Sequence, residues 1–232
     1  MSREHIETPK TYYTIVGGSF RVQVSKDDPT AVMREWESAD GKERGVKYER
    51  IVNALFGLIE EVSFADTKYG MQVYIKLDFN EKQQQPIIAL NMASREAEDF
   101  LKRLPNIDLS KEVRLRPFNF EDRQSHEEVR GMEVMQPNEQ GEFKTKITNF
   151  FRDAEKKENI NGFPNPEGET ADYSKDDWKI YFLSARKFLI NYTKENICPK
   201  FRDLPQRTPR SLEEERGVEY PKADINPDDI PF

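Results

Sequence analysis

The sequence predicts a mainly β fold with helical additions, and three observations carry that prediction. Residues 69–79 alternate apolar and polar, and Gly17-Gly18 stands between two β-rich runs. Only the stretches after Ser94 and Ser174 carry apolar residues at helical spacing behind a capping residue. A chain of 232 residues fits one large domain with additions. Charged residues make up 34% and hydrophobic residues 36%, against about 25% charged in an average domain. The apolar stock is therefore concentrated in a few patterned stretches, and the polar remainder forms loops and tails.

Taken in order, residues 11–25 read as a small hairpin turning at Gly17-Gly18. Residues 26–45, charged and glycine-containing, read as an exposed connection whose Trp36 packs on the body. The run from Val46 to Phe64 is ambiguous, because Ile51, Leu55, Leu58, Ile59 and Val62 also fall at helical spacing; a strand is favoured, with Gly57 suiting a bend that serves both halves of a closed barrel. Residues 69–79 form a half-buried strand, with Gln72, Tyr74 and Lys76 opposite the apolar set. Residues 86–92 give another strand. Ser94 caps a helix with Glu96, Glu98 and Asp99 in its first turn and Ala97, Phe100, Leu101 and Leu104 as its stripe, stopping near Pro105.

Residues 111–120 alternate again, with Val113 and Leu115 on one face and Arg114, Arg116, Phe118 and Phe120 on the other; Pro117 marks an edge or bulge. Residues 129–135 form one more strand and 141–146 a short addition. Ile147, Phe150, Phe151 and Ala154 are spaced for a short helix, and 159–173 is a loop. Ser174 to Asp177 matches a capping box, opening a helix with Trp178, Tyr181, Phe182, Ala185, Phe188, Leu189 and Tyr192 on one stripe, ended by Pro199 and docked on the barrel. Beyond Arg202 the chain carries prolines and acidic residues with few packing groups, the composition of a disordered tail.

From Val46 onward the order is strand, strand, strand, helix, strand, strand. That is the arrangement of an OB-fold, a five-stranded Greek-key barrel used to bind oligonucleotides and oligosaccharides. The expected organisation is 1–45 N-terminal hairpin and connection, 46–147 OB-fold core, 148–202 helical extension on the core, and 203–232 acidic tail.

No run approaches the roughly 18 apolar residues of a membrane span, and Met1 to His5 lack a signal-peptide core; a cytoplasmic protein without membrane association is expected. A single cysteine, Cys198, excludes an internal disulfide. With only His5 and His126 beside it, no metal site or cofactor is expected. The net charge of −7 is unevenly placed: residues 179–202 hold six basic groups against one acidic, and 203–232 hold eight acidic against four basic.

The chain ends Asp224-Ile-Asn-Pro-Asp-Asp-Ile-Pro-Phe232. A terminal Phe joins a large ring to the terminal carboxylate, so it fills a pocket while pairing with a cation on the rim. Flanking aspartates steer toward basic surfaces. This tip resembles that of bacterial single-stranded DNA-binding proteins, which end in aspartates followed by Ile-Pro-Phe; Asp228, Asp229, Ile230, Pro231 and Phe232 match it position by position. The acidic run is thinner here, and the helical region after the barrel is longer, pointing to a phage-type or divergent member. The resemblance implies a non-enzymatic protein of replication, recombination or repair in a bacterial or phage-infected cytoplasm. Such a protein binds single strands without strong sequence preference and recruits partner proteins through its tip. Self-association into a homo-oligomer stays open.

Sequence-independent strand binding needs aromatic faces and cations along one surface. The candidates are Tyr74, Lys76, Arg114, Arg116, Phe118 and Phe120 on strands, and Lys68, Tyr69 and Arg123 in turns. The basic side of the last helix, with Lys179, Arg186, Lys187 and Lys194, is a further surface that a DNA track, a subunit contact or plain solvation would explain equally. Two other classes compete: an adaptor that binds protein, and a metal-dependent nuclease built from the 43 acidic residues. No phosphate-binding glycine loop is present, since Gly17-Gly18 is followed by no Lys-Ser or Lys-Thr.

Overall fold

The computed structural model describes residues 9–38, 41–78 and 84–204. Within them the chain forms β1 (Lys10–Val16), β2 (Ser19–Gln23), β3 (Val32–Glu37), β4 (Arg44–Val52), β5 (Leu55–Gly57), β6 (Ile59–Thr67), β7 (Gly70–Leu77) and β8 (Gln85–Asn91). Helix α1 (Arg95–Arg103) follows, then β9 (Val113–Glu121), β10 (Glu128–Gln136), β11 (Thr145–Lys146), α2 (Lys175–Tyr192) and α3 (Cys198–Arg202). A larger sheet has the order β3-β4-β2-β1-β8-β7-β6 and a smaller one β11-β10-β9-β5. The mainly β class read from the alternation is the class observed.

Each sheet turns one face inward. Alternation places Val73, Ile75 and Leu77 of β7 in the core, beside Ile88 and Leu90 of β8 and Tyr13 of β1. From the smaller sheet come Val113, Leu115, Met132 and Val134, and α1 adds Ala97, Phe100 and Leu101; all belong to one buried cluster. Burying each large side chain of this kind is worth about 1.5–3 kcal/mol. Ser94 caps α1 by accepting from the Ala97 N–H at 3.2 Å.

The two sheets exchange chain at Gly57. β5 pairs with β9 and β6 with β7, and between them Leu58 donates its N–H to Asp78 Oδ1 at 2.8 Å. A Cβ on Gly57 would lie 2.5 Å from that oxygen, and its φ of +151° also favours glycine. The expected single strand over 46–64 is thus three strands, because β4 leaves to pair with β2 and β3.

Residues 26–45, expected as a connection, contain β3, which forms a hairpin with β4. Their charges are accommodated within the pairing: Glu49 is buried yet receives two hydrogen bonds from Arg34, at 2.6 and 2.7 Å, and that guanidinium holds its pKa below the usual carboxylate range. Trp36, half-buried, lies over Gly45.

The expected helix over 147–154 is absent. Asn149 Oδ1 accepts from the Phe151 N–H and Asp153 Oδ1 from those of Glu155 and Lys156, local bonds that compete with helix formation. Phe151 is instead the buried hub of an aromatic cluster with Phe150, Phe163, Phe188 and Tyr192. The capping box at Ser174 and Asp177 forms as read; Phe188 and Tyr192 of the α2 stripe belong to this cluster, while Trp178, Tyr181 and Phe182 pack on one another. Pro199 does not end the helix. The chain widens into a π-type turn over 193–197, and Pro199 sits in the first turn of α3, where its missing N–H costs nothing.

Pro117 lies inside β9, opposite Met132. The Met132 N–H donates to Asp99 Oδ2 of α1, so this pair exchanges no ladder bonds, and β5 reaches only residues 113–115 on the other side. The expected edge is present at that point. The residues 205–232, including the acidic tip, lie outside the described residues, as do Phe79 and His5. Among the described residues no helix is long and apolar enough to cross a membrane.

Candidate nucleic-acid interface

Strand β9 turns Val113, Leu115 and Pro117 inward and Arg114, Arg116, Phe118 and Phe120 outward. Its neighbours complete the outward face: Phe56 of β5 and Met135 of β10 lie opposite Arg114, Glu133 opposite Arg116, Gly131 opposite Phe118, and Val129 opposite Phe120. Phe56 is 53% and Phe120 54% exposed. Phe143 meets Phe56 edge-on at 5.1 Å between centroids, and Phe118 lies 5.9 Å from Phe120. Rings left to solvent on a sheet face, with guanidinium groups between them, form a surface suited to stacking bases and pairing phosphates.

A carboxylate sits among these cations. Glu133 Oε2 accepts from Arg116 Nε at 2.9 Å and from Arg114 Nη2 at 3.1 Å, and Arg114 Nη2 also contacts Met135 Sδ at 2.6 Å. One carboxylate oxygen thus holds both guanidinium groups in register. Arg114 Nε is buried and meets no acceptor among the described residues.

The other expected residues are distributed elsewhere. Tyr74 and Lys76 lie on the outward face of the larger sheet, with Tyr74 half-buried between Ser63 and Ala89 and Lys76 Nζ 3.6 Å from Glu60. Lys68 and Tyr69 form a unit in the β6–β7 turn: the ring is 72% exposed with Nζ 4.9 Å from its centroid. Arg123 is exposed in the β9–β10 turn, which Asp122 shapes by accepting from the Gln124 and Ser125 N–H groups. Those bonds hold the Asp122 carboxyl below its ordinary pKa.

The structure therefore brings Arg114, Arg116, Phe118 and Phe120 onto one face and sets Tyr74 with Lys76 on another. A contact joins the two sheets: the Gly17-Gly18 turn of β1–β2 lies against Phe118 and Asn119 of β9. Sequence reasoning missed Phe56 and Phe143, whose partners are distant in the chain. It also missed Tyr12, Arg21, Trp36 and Lys47 on the outward face of the larger sheet; the alternation of Phe20, Arg21 and Val22 was the available signal for Arg21.

On the basic side of α2, Lys179 pairs with Asp176 at 2.7 Å and Lys194 lies 5.6 Å from the Phe64 centroid, while Arg186 is half-buried and Lys187 exposed. Cys198 Sγ donates to the Val62 carbonyl, and burial pushes its thiol pKa up. Among the described residues no three His, Cys, Asp or Glu side chains gather where they could hold a metal ion. Comparison with protein-family models, curated proteins and solved structures finds no match to this chain.

Proposed function

We propose that the chain is a non-enzymatic single-stranded DNA-binding protein of replication, recombination or repair, which coats exposed strands without strong sequence preference and recruits partner proteins through Asp228 to Phe232. The observation that carries this reading is the outward face of the smaller sheet, where Phe56 and Phe120 stay exposed around Arg114 and Arg116. Burying those rings against protein would have been the cheaper use of them; stacking on unpaired bases gives each about 1–3 kcal/mol and tolerates any sequence. Support for the partner-binding part is the tip sequence itself.

We read β5 with β6, then β7, β8, β9 and β10, as the five strands of an OB-type barrel with α1 between the third and fourth. The exchange of chain between sheets at Gly57 supports that reading. One departure is that β8 pairs in parallel with β1, so the N-terminal hairpin occupies the place beside the third strand.

The test is fluorescence anisotropy of a labelled oligo-dT of about 30 nucleotides, titrated with the full chain beside a matching duplex over a salt series. Salt-sensitive binding to the single strand in preference to the duplex is expected. Absence of binding at low salt, with and without residues 224–232, would overturn the reading and favour a protein-binding adaptor. Magnesium-dependent cleavage of the strand would overturn it in favour of a nuclease.

The position of Glu133 gives a further expected result. Glu133→Gln removes the charge that competes with phosphate for Arg114 and Arg116, so single-strand affinity should rise about tenfold and the salt dependence steepen by about one counterion. A weaker complex would show instead that Glu133 positions the two guanidinium groups.

A further inference from the structure

We infer that the outward face of the larger sheet is a second strand-binding surface, which carries a single DNA strand onward from the smaller sheet and reaches the β3–β4 hairpin. This rests on the reading of the chain as a single-strand binder and extends it to four N-terminal strands.

Register places the participating side chains. Lys76 of β7 lies opposite Ile87 of β8, which lies opposite Tyr12 of β1; Tyr74 shares that face one pleat along. Thr14 of β1 lies opposite Arg21 of β2, which lies opposite Ile51 of β4. Lys47 of β4 then faces Arg34 of β3, and Gly45 faces Trp36. Partners in register share a face, so Trp36, Lys47, Arg21, Tyr12, Tyr74 and Lys76 all lie outward on one surface. It crosses five interstrand spacings of about 4.8 Å, hence about 24 Å.

The chemistry of that surface matches a strand of nucleic acid. Tyr12 is 53% exposed although its neighbour Tyr13 is fully packed. Lys47 Nζ stands 4.8 Å from the Trp36 centroid, presenting ring and cation together. Arg21 makes no ion pair among the described residues, and its Nε is buried without an acceptor. Glu49, on the same face, takes its two side-chain hydrogen bonds from Arg34 and feels Arg21 only through its charge. The larger sheet also adjoins the smaller one here, since the β1–β2 turn that precedes Arg21 lies against the β9 backbone at Phe118 and Asn119. An isolated hairpin staple would account for Trp36 and Lys47, and the charge of Arg21 supports Glu49, but neither gives exposed Tyr12 a role.

The experiment compares oligo-dT of about eight and about 30 nucleotides on the full chain, with Tyr12→Ala/Lys47→Gln as the variant. The longer strand spans both faces and the shorter only one. The variant should bind the longer oligonucleotide about tenfold more weakly, within the range of one lost stacking contact, and the shorter within twofold of the unmodified chain. As a readout independent of that variant, Trp178→Phe leaves Trp36 as the one remaining tryptophan, and its emission should be quenched by the longer oligonucleotide only. Unchanged affinity and unchanged Trp36 emission, with binding intact, would overturn the inference while leaving the proposed function standing. Equal weakening at both lengths would overturn it as well, by making this face the first contact. If neither oligonucleotide binds the unmodified chain, the underlying reading fails.

Discussion

Gly18→Ala is expected to lower the stability of the fold by about 3 kcal/mol, whereas Gly17→Ala in the same turn should cost about 1 kcal/mol. Both glycines have positive φ, +58° and +74°, so each substitution carries the backbone penalty of an L-residue there. Only Gly18 also lacks space. A Cβ on it would lie 2.4 Å from the Asn119 backbone nitrogen and 2.9 Å from the Phe118 carbonyl carbon, while nothing comes within 4 Å of one on Gly17. Backbone atoms inside a paired strand cannot swing aside as a side-chain tip would, so the turn must lift off β9. Urea denaturation reads this as a lower midpoint with an unchanged slope. Equal midpoints for the two variants would show that the turn does not hold the sheets together.

The triple change Phe56→Ala, Phe120→Ala and Arg116→Gln should weaken single-strand binding about a thousandfold while leaving the fold intact. Each ring offers one stacking platform worth about tenfold, and the guanidinium one phosphate contact worth about tenfold more. The slope of log affinity against log salt should fall by about one. Stability should change little because the sites are open: the rings are 53% and 54% exposed and the Arg116 side chain 50%. Arg114 is left in place so that Glu133, whose side chain is only 14% exposed, keeps a cationic partner. Because the three side chains share one face, their effects need not add, and the single variants belong in the same titration. Retained affinity in a folded triple variant would move the site off this face.

Where the sequence was legible, the signal was local. Period-two alternation gave β7 and β9 with the correct faces, and Ser94 and Ser174 announced α1 and α2 because capping is decided within four residues. The losses came where long-range pairing decides. Nothing local shows that 44–52, 55–57 and 59–67 belong to three pairings, since each carries β-formers with no turn signal strong enough to separate them; the break becomes visible only with Asp78 taking the Leu58 N–H. β3 was hidden by its charges, whose cost is met by the Arg34–Glu49 pair across the hairpin. The same limit applied to the candidate site. Alternation placed Arg114, Arg116, Phe118 and Phe120 on one face, but Phe56 joins them through pairing with a strand nearly sixty residues away. Tyr74 and Lys76 were grouped with that set on chemistry alone, and their strand lies in the other sheet.

The measurement that tests the central claim most directly is photocross-linking of an oligo-dT carrying a photoreactive base to the full chain, with the joined peptides identified by mass spectrometry. Links to Phe120 or Phe56, competed away by unlabelled single strand and not by duplex, are the predicted result. Links confined to the basic side of α2, or none under conditions where the oligonucleotide is bound, would contradict the claim that bases stack on the outward face of the smaller sheet.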